Sequence, residues 1–569
     1  MKRLKILLCA ALLLLITVML IGCGGNSTGN TGSNITSTLG QNAAPSQDDI
    51  EKVDIAAEQD NQFTMEVGSG NTDTSTRPAG DNDQEYGGMV RVNVTGDIDF
   101  NYGLPWLQMQ VGGSPYVLVP VSEALLTQEM KGVLTPGLAK ECTPDIENKE
   151  ILFTLRDNVY FSDGSKFNAE AVVWNFERWR ESGIVQTSVT GVEARGEYEV
   201  AVLMGDGFNN AVPHYYTARS TGMVSKENYE KVGAEVAALH PATTAPFQLK
   251  ERIPGVKAVF EKNPTYWQDG KPYLDVIECT NINDIMTQNA AILSKGDDAI
   301  DVLINPGFEQ ISKLITDPDL ELFTYASGYT SLYPSSRNDD SPFAKFEVRQ
   351  AVSFALDREL LCKARGFGIA TPATQVIVKD YLGYFDDGRN YFPYDQAKAK
   401  ELLAQAGYPS GFDTTIIAQS TADLDLVVAV QKMLGDVGIR CELQIVEAAI
   451  AAEINRVTGW EGLLFTNFTN VVSMPTTYSG FDDRYANNIS VYRPVEKFMD
   501  ILNASRKTEW FEDSLFQDLN RIFSEEHVVI PMITSNFSYV VRKSVRGGEF
   551  GFHGGGTIYL PQELWRATK

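Results

Sequence analysis

Residues 152–178 read Leu152-Phe-Thr-Leu-Arg-Asp-Asn-Val-Tyr-Phe-Ser-Asp-Gly-Ser-Lys-Phe-Asn-Ala-Glu-Ala-Val-Val-Trp-Asn-Phe-Glu-Arg178. With Ile151 ahead of it, the run to Arg156 reads as a strand, and Val159-Tyr-Phe161 continues the extended chain. Asp163-Gly164 then signals a turn. Asn168 is placed to cap a helix that opens with Ala169, and Glu170 is favourably close to that helix's N-terminus. Val172, Phe176 and Trp179 recur at helical spacing, so this stripe is expected to be core.

Residues 89–95 lie upstream and alternate. Val90, Val92 and Val94 share one face, while Arg91, Asn93 and Thr95 share the other, which predicts a strand. The stretch from Gly96 to Trp106 is a loop at the strand's end, carrying aromatic and polar groups. Ligands in open α/β sheets sit beyond the carboxyl ends of strands. Tyr102 and Trp106 are therefore candidate pocket residues, and packing as core beneath the loop is the open alternative.

Downstream, Val348, Ala351, Val352, Ala355 and Leu356 share a helix face. Asp395 caps a second helix, whose Ala399, Leu402, Leu403 and Ala406 line one side, with Gly407 placed to end it. Residues 414–418 predict a strand, 424–437 an amphipathic helix and 442–446 another strand. That order is a βαβ unit, so this part should hold a partly parallel sheet.

The chain has 569 residues and a net charge of −26. Nucleic-acid binding would need a basic patch, and Lys/Arg residues do not cluster beyond the N-terminus. The acidic balance mostly signals solubility, with attraction of cationic ligands as a lesser reading. Residues 1–22 carry a basic start, an apolar run and a small residue before Cys23. This resembles a bacterial lipoprotein signal, with Cys23 as the acylated first mature residue. An uncleaved anchor is the alternative, but the run from 6 to 21 is at the short limit for a span. Residues 23–85 are rich in Gly, Asn, Ser, Thr and Asp and read as a disordered tether. The remaining length suggests two or three domains. Cys142, Cys279, Cys362 and Cys441 show no CxxC and no metal pattern, and either disulfides or isolated thiols are open. His214, His240, His527 and His553 are scattered and read as structural.

Five blocks carry a resemblance. Pro136-Gly-Leu-Ala139 is followed by the 152–178 block. Then come Thr244-Ala-Pro-Phe-Gln-Leu249 with Asn263-Pro-Thr-Tyr-Trp267 and Lys271-Pro-Tyr-Leu-Asp275, Phe346-Glu-Val-Arg-Gln-Ala-Val-Ser-Phe-Ala-Leu-Asp-Arg358, and Tyr394-Asp-Gln-Ala-Lys-Ala-Lys-Glu-Leu-Leu-Ala-Gln-Ala-Gly-Tyr-Pro409. In this order they resemble the family 5 extracellular solute-binding proteins, the peptide/nickel-type receptors of ABC importers.

The resemblance implies an α/β, two-lobed periplasmic-binding-protein-like fold of type II with an extra subdomain inserted in the first lobe. It implies lobe I from 86–112, 240–308 and 531–569, the extra subdomain at 113–239, and lobe II at 309–530. It further implies a monomer on the outer face of the cytoplasmic membrane that encloses a small molecule or peptide and passes it to ABC permease subunits. No cofactor, metal, nucleic-acid partner or catalytic residue is expected. For the ligand site it points to Tyr329, Arg337 and Asn338, and to Phe465, Asn467 and Phe468, where peptide receptors carry "W-x-x-D". No carboxylate lies in that last stretch, and an amide lacks the charge-assisted strength to hold an ammonium group. Tyr478 reads as a cleft residue, with surface or core packing as the alternative.

Two other classes stay in view. An extracellular hydrolase would need a nucleophile or metal constellation, and neither GxSxG nor HExxH occurs in residues 86–569. A ligand sensor on the same fold would share every structural expectation above. GxxxxGK[ST] is also absent, so ATP hydrolysis would belong to other subunits.

Overall fold

The computed structural model describes residues 84–94, 98, 102–107, 115–128, 133–185, 188–205, 207–217, 221–296, 298–379, 381–454, 458–469, 496–548, 550 and 559–567. The signal, the tether with Cys23, Tyr478 and His553 lie outside them.

The predicted first strand is β1 (Met89–Asn93). Val90, Val92 and Val94 are fully buried, as their alternation demands. An inserted segment follows, with a hairpin of β2 (Leu126–Gln128) and β3 (Leu134–Pro136). Four more strands, β4 (Ala139–Asp145), β5 (Glu150–Leu155), β6 (Val189–Gly196) and β7 (Glu199–Met204), form a separate sheet in the order β4-β5-β7-β6. Helix α1 (Ala169–Ser182) packs on it. Asn168 accepts from the Ala171 N–H at 3.0 Å, as the capping argument requires. Gly183 ends the helix at φ +78°, a conformation that favours glycine. Val172, Phe176 and Trp179 lie in the core of this segment.

The chain then returns to the first sheet with β8 (Phe247–Ile253), β9 (Lys257–Lys262) and β10 (Val276–Thr280), and continues through α2 (Ile285–Leu293), β11 (Val302–Ile304) and α3 (Phe308–Leu314). Next comes β12 (Leu320–Pro334). A second half follows, built from α4 (Phe346–Ala355), α5 (Arg358–Arg365), α6 (Gln396–Gln405), β13 (Phe412–Gln419), α7 (Leu424–Asp436), β14 (Ile439–Val446) and β15 (Leu463–Thr469). It closes with α8 (Glu496–Ser505) and α9 (Asp513–Glu525). The long strand β16 (Ile530–Arg542) runs back into the first half.

All ten strands outside the insert's sheet and the small hairpins make one sheet, in the order β14-β13-β15-β12-β16-β11-β1-β10-β9-β8. β1 is parallel to β10 and β11, and β13 is parallel to β14 and β15, so the predicted βαβ unit is present. The two parallel groups are joined by the antiparallel ribbon of β12 and β16. The ribbon's register slips between Ala326 and Gly328 and again between Thr330 and Ser331. Ile311 and Leu314 of α3 pack in one cluster with Leu303, Val540 and Ile369.

Asp301 ties together segments that are far apart in sequence. It accepts from the Arg91 N–H at 2.9 Å and from Arg566 at 3.2 Å while 2 % exposed. Burial raises its carboxyl above the usual range. The motif arginines Arg349 and Arg358 are buried in the second half and bond backbone carbonyls. Cys142, Cys279, Cys362 and Cys441 are all free thiols. No helix among the described residues is long and apolar enough to cross a membrane.

His214 and His527 are buried, and burial pushes both imidazoles down to about 3, with Arg358 and Arg349 adding to the effect at His527. The unfolded chain takes up these protons near pH 6.5, and the fold takes them up only near 3. Their contribution is therefore complete above about 6.5 and is lost toward 3, at roughly 1.4 kcal/mol per pH unit for each group. Glu123 opposes them. It accepts from Tyr266 at 3.0 Å and Trp267 at 3.0 Å, and burial pushes it up to about 7. Its contribution is complete below the usual glutamate range and declines as pH rises through 7. Urea midpoints should fall gently from pH 6.5 to about 4.5 and steeply below. His527→Asn, which tolerates the φ of +48° found there, should shed one histidine's share of that slope. An unchanged slope would remove His527 from the account.

Candidate functional site: the crevice between the halves

A cavity of 1110 Å³ lies where the parallel strands of both halves end. That is the position at which open α/β sheets bind ligands. Its first-half wall is Ile285, Met286 and Asn289 of α2 with residues 305–307 after β11 and Phe308, Glu309, Gln310 and Lys313 of α3. Its second-half wall is Arg365 at the end of α5, Phe367 beyond it, and residues 419–426 from the end of β13 into the first turn of α7. The floor is the ribbon and its neighbour: Thr330, residues 464–467 and residues 533–536.

The charges in the walls are matched locally. Arg365 donates to Asp423 at 2.9 Å and lies 3.2 Å from Asp425. The Asp423 bond holds the guanidinium above its ordinary pKa. Asp423 also caps α7 through the Leu426 N–H at 3.1 Å, so one carboxylate fixes both a helix start and a cation. Opposite, Lys313 donates to Glu309 at 2.7 Å, which lowers the Glu309 carboxyl. The floor sets amides and hydroxyls beside Leu464, Phe465 and Ile533. Thr330 Oγ1 donates to Asn467 Oδ1 at 3.1 Å, and Asn536 Nδ2 donates to Thr324 Oγ1 at 3.1 Å. Two non-glycine residues with left-handed backbones line the space: Asn305 at φ +56° and Phe367 at φ +48°. For a bulky Phe that conformation is strained, and such strain clusters at binding sites.

The sequence-predicted residues divide. Phe465 and Asn467 line the cavity. Tyr329 and Phe468, paired across β12 and β15, turn to the opposite face and are buried in another core. Arg337 and Asn338 are exposed in the turn after β12, where Asn338 accepts from the Asp340 N–H at 3.0 Å. Tyr102 packs as core, its hydroxyl donating to the Ile98 carbonyl at 2.7 Å. Trp106 packs in the insert's core, edge-on to Trp174. For both, the core alternative holds among the described residues. Arg365, Phe367, Asp423, Asn305 and Asn536 were missed. The rule applied to the loop after β1 would have found residues 419–423, since they end a strand that the periodicity already predicted.

None of the described histidines lines this space, and no cluster of three or more His, Cys, Asp or Glu among the described residues could hold a metal. The arrangement can hydrogen-bond a polar solute and compensate a local charge on it.

Residues 133–488 match the model of the bacterial extracellular solute-binding proteins, family 5. The chain belongs to this family. The family 5 chain is also 31% identical over 336 residues to the glutathione-binding protein GsiB of Salmonella typhi. That match covers 57% of this chain and 63% of the relative. Among solved structures it is similar to the ABC transporter-associated periplasmic binding protein DppA from Helicobacter pylori in complex with the peptide STSA. The TM-score is 0.70 at 20% identity, over 85% of this chain and 99% of that one. It is likewise similar to AgaA from A. tumefaciens R10 in complex with agropinic acid, with a TM-score of 0.69 at 22% identity over 85% and 99%. These likenesses establish the mixed α/β, type II periplasmic-binding fold for this family 5 chain.

Proposed function

We propose that this chain is a solute receptor that captures a small guest, most often a peptide, in the crevice and delivers it to an ABC permease. The observation that carries this reading is the polar, charge-matched cavity bridged underneath by a two-stranded ribbon. A ribbon with a register slip is a hinge that can rotate without breaking either core. Its polar groups compensate those of a buried solute, and a solute that touches both walls favours the closed state. The Helicobacter pylori DppA complex supports a peptide guest. The agropinic acid complex supports a non-peptide guest as a second reading.

The role needs no chemistry in this subunit, so no enzymatic activity is proposed. Cys23 is proposed as the lipid attachment, holding a monomer at the outer face of the cytoplasmic membrane. Lobe changeover is proposed at Gly328 and Ser535, with residues 113–239 as the extra subdomain. Mass spectrometry of material retained through purification, with thermal shifts against peptide, sugar and chelate panels, tests the reading. Retained peptides and a peptide-induced shift are expected. Shifts with sugars or chelates alone would end the peptide assignment.

A further inference from the structure

The insert belongs to the first half. Phe247 N–H donates to the Pro120 carbonyl, and Glu123 binds Tyr266 and Trp267 of the segment leading to β10. Yet it also touches the second half, away from the ribbon. Asn210 sits 1 % exposed against the turn after α8. Its N–H donates to the Arg506 carbonyl at 3.0 Å. Its side-chain amide donates to the Ser505 carbonyl at 2.7 Å and to Thr508 Oγ1 at 3.0 Å. One turn on, the His214 ring stacks on Phe511 at 4.2 Å and 10°. Phe511 is edge-on to Phe516 of α9, within the second-half core. Beyond His214, Tyr216 stacks on Trp179 of the insert's core. Rings of both cores thus approach this junction, His214 with Phe511 and Phe516 on one side and Tyr216 with Trp179 on the other.

We propose that Asn210, His214 and Phe511 form a closure latch: the insert docks on the second half and holds the crevice shut. This rests on the reading above that the halves pivot on the ribbon. Rotation about β12 and β16 must part the Asn210 bonds and unstack the rings, because the two sides have no covalent link nearby. The junction's groups meet in the arrangement seen here, so they bias it, and the solute then needs to supply less of the closing free energy. Asn210 and Phe511 are positioning residues, since neither lines the cavity.

The test needs no solute. Hydrogen exchange by mass spectrometry and small-angle scattering are measured on the chain carrying Phe511→Ala, and separately Asn210→Ala. Exchange across residues 208–217, on the far side of the junction, should rise at least tenfold, and the radius of gyration should increase. Residues 412–446 should keep their protection, which shows that the second half remains folded. Phe511→Trp preserves the stack and should restore both readouts. Unchanged exchange at 208–217 in both variants overturns the latch. Faster exchange without expansion also overturns it, because the contact would then be local. The receptor reading stands or falls separately, on the solute panels.

Discussion

Arg358→Ala is expected to lower the stability of the second half by about 4 kcal/mol, the cost typical of removing one partner from a buried charged network. The guanidinium is 4 % exposed. Nε donates to the Pro531 carbonyl at 2.7 Å, and Nη1 to the carbonyls of Ser353, Leu356 and Phe392 at 3.0, 3.2 and 3.0 Å. Nη2 adds the Ser353 hydroxyl at 3.3 Å, and the group lies over the Phe392 ring. One side chain thus ties the end of α4, the segment before α6 and the start of β16. Its removal takes a donor from each of four carbonyls, in a place where unpaired polar groups are costly. Arg358→Lys should recover only part of the loss, because an ammonium has three donors and no planar fork. Urea titration checks this, and a loss under about 1 kcal/mol would show that the carbonyls find other donors.

A wedge at the floor of the crevice should act on binding and spare the fold. Ser535 lines the cavity on β16 and is half-buried, with its carbonyl accepting from Ser327. Ser535→Trp keeps that backbone bond and places an indole between the walls. The halves then meet the ring before they meet the solute. Affinity for whichever peptide the panels identify should fall at least tenfold, about 1.4 kcal/mol, with the urea midpoint nearly unchanged. Calorimetry on wild type and variant decides it. Equal affinity would place the solute elsewhere.

Local elements were legible because their causes are local. Asn168 and Gly183 bound α1 through a cap and a left-handed turn, and Val90, Val92 and Val94 announce a strand by period alone. The βαβ unit was legible for the same reason. Its strands run longer than expected, as Phe412–Gln419 and Ile439–Val446, since pairing extends them past their apolar centres. The crevice was not legible in the same way. Thr330 and Asn467 lie 137 residues apart and meet only through the β12–β15 register. Arg365 reaches Asp423 across 58 residues by helix packing. Tyr329 and Phe468 meet across β12 and β15, but one step along a strand decides the face, and both turn away from the cavity.

Small-angle scattering of the chain with and without a saturating peptide pool tests the hinged-capture account most directly, provided mass spectrometry confirms that solute is bound and chemically unaltered. The account predicts a smaller radius of gyration in the loaded protein. Bound solute with no compaction, or solute returned in altered form, would contradict it.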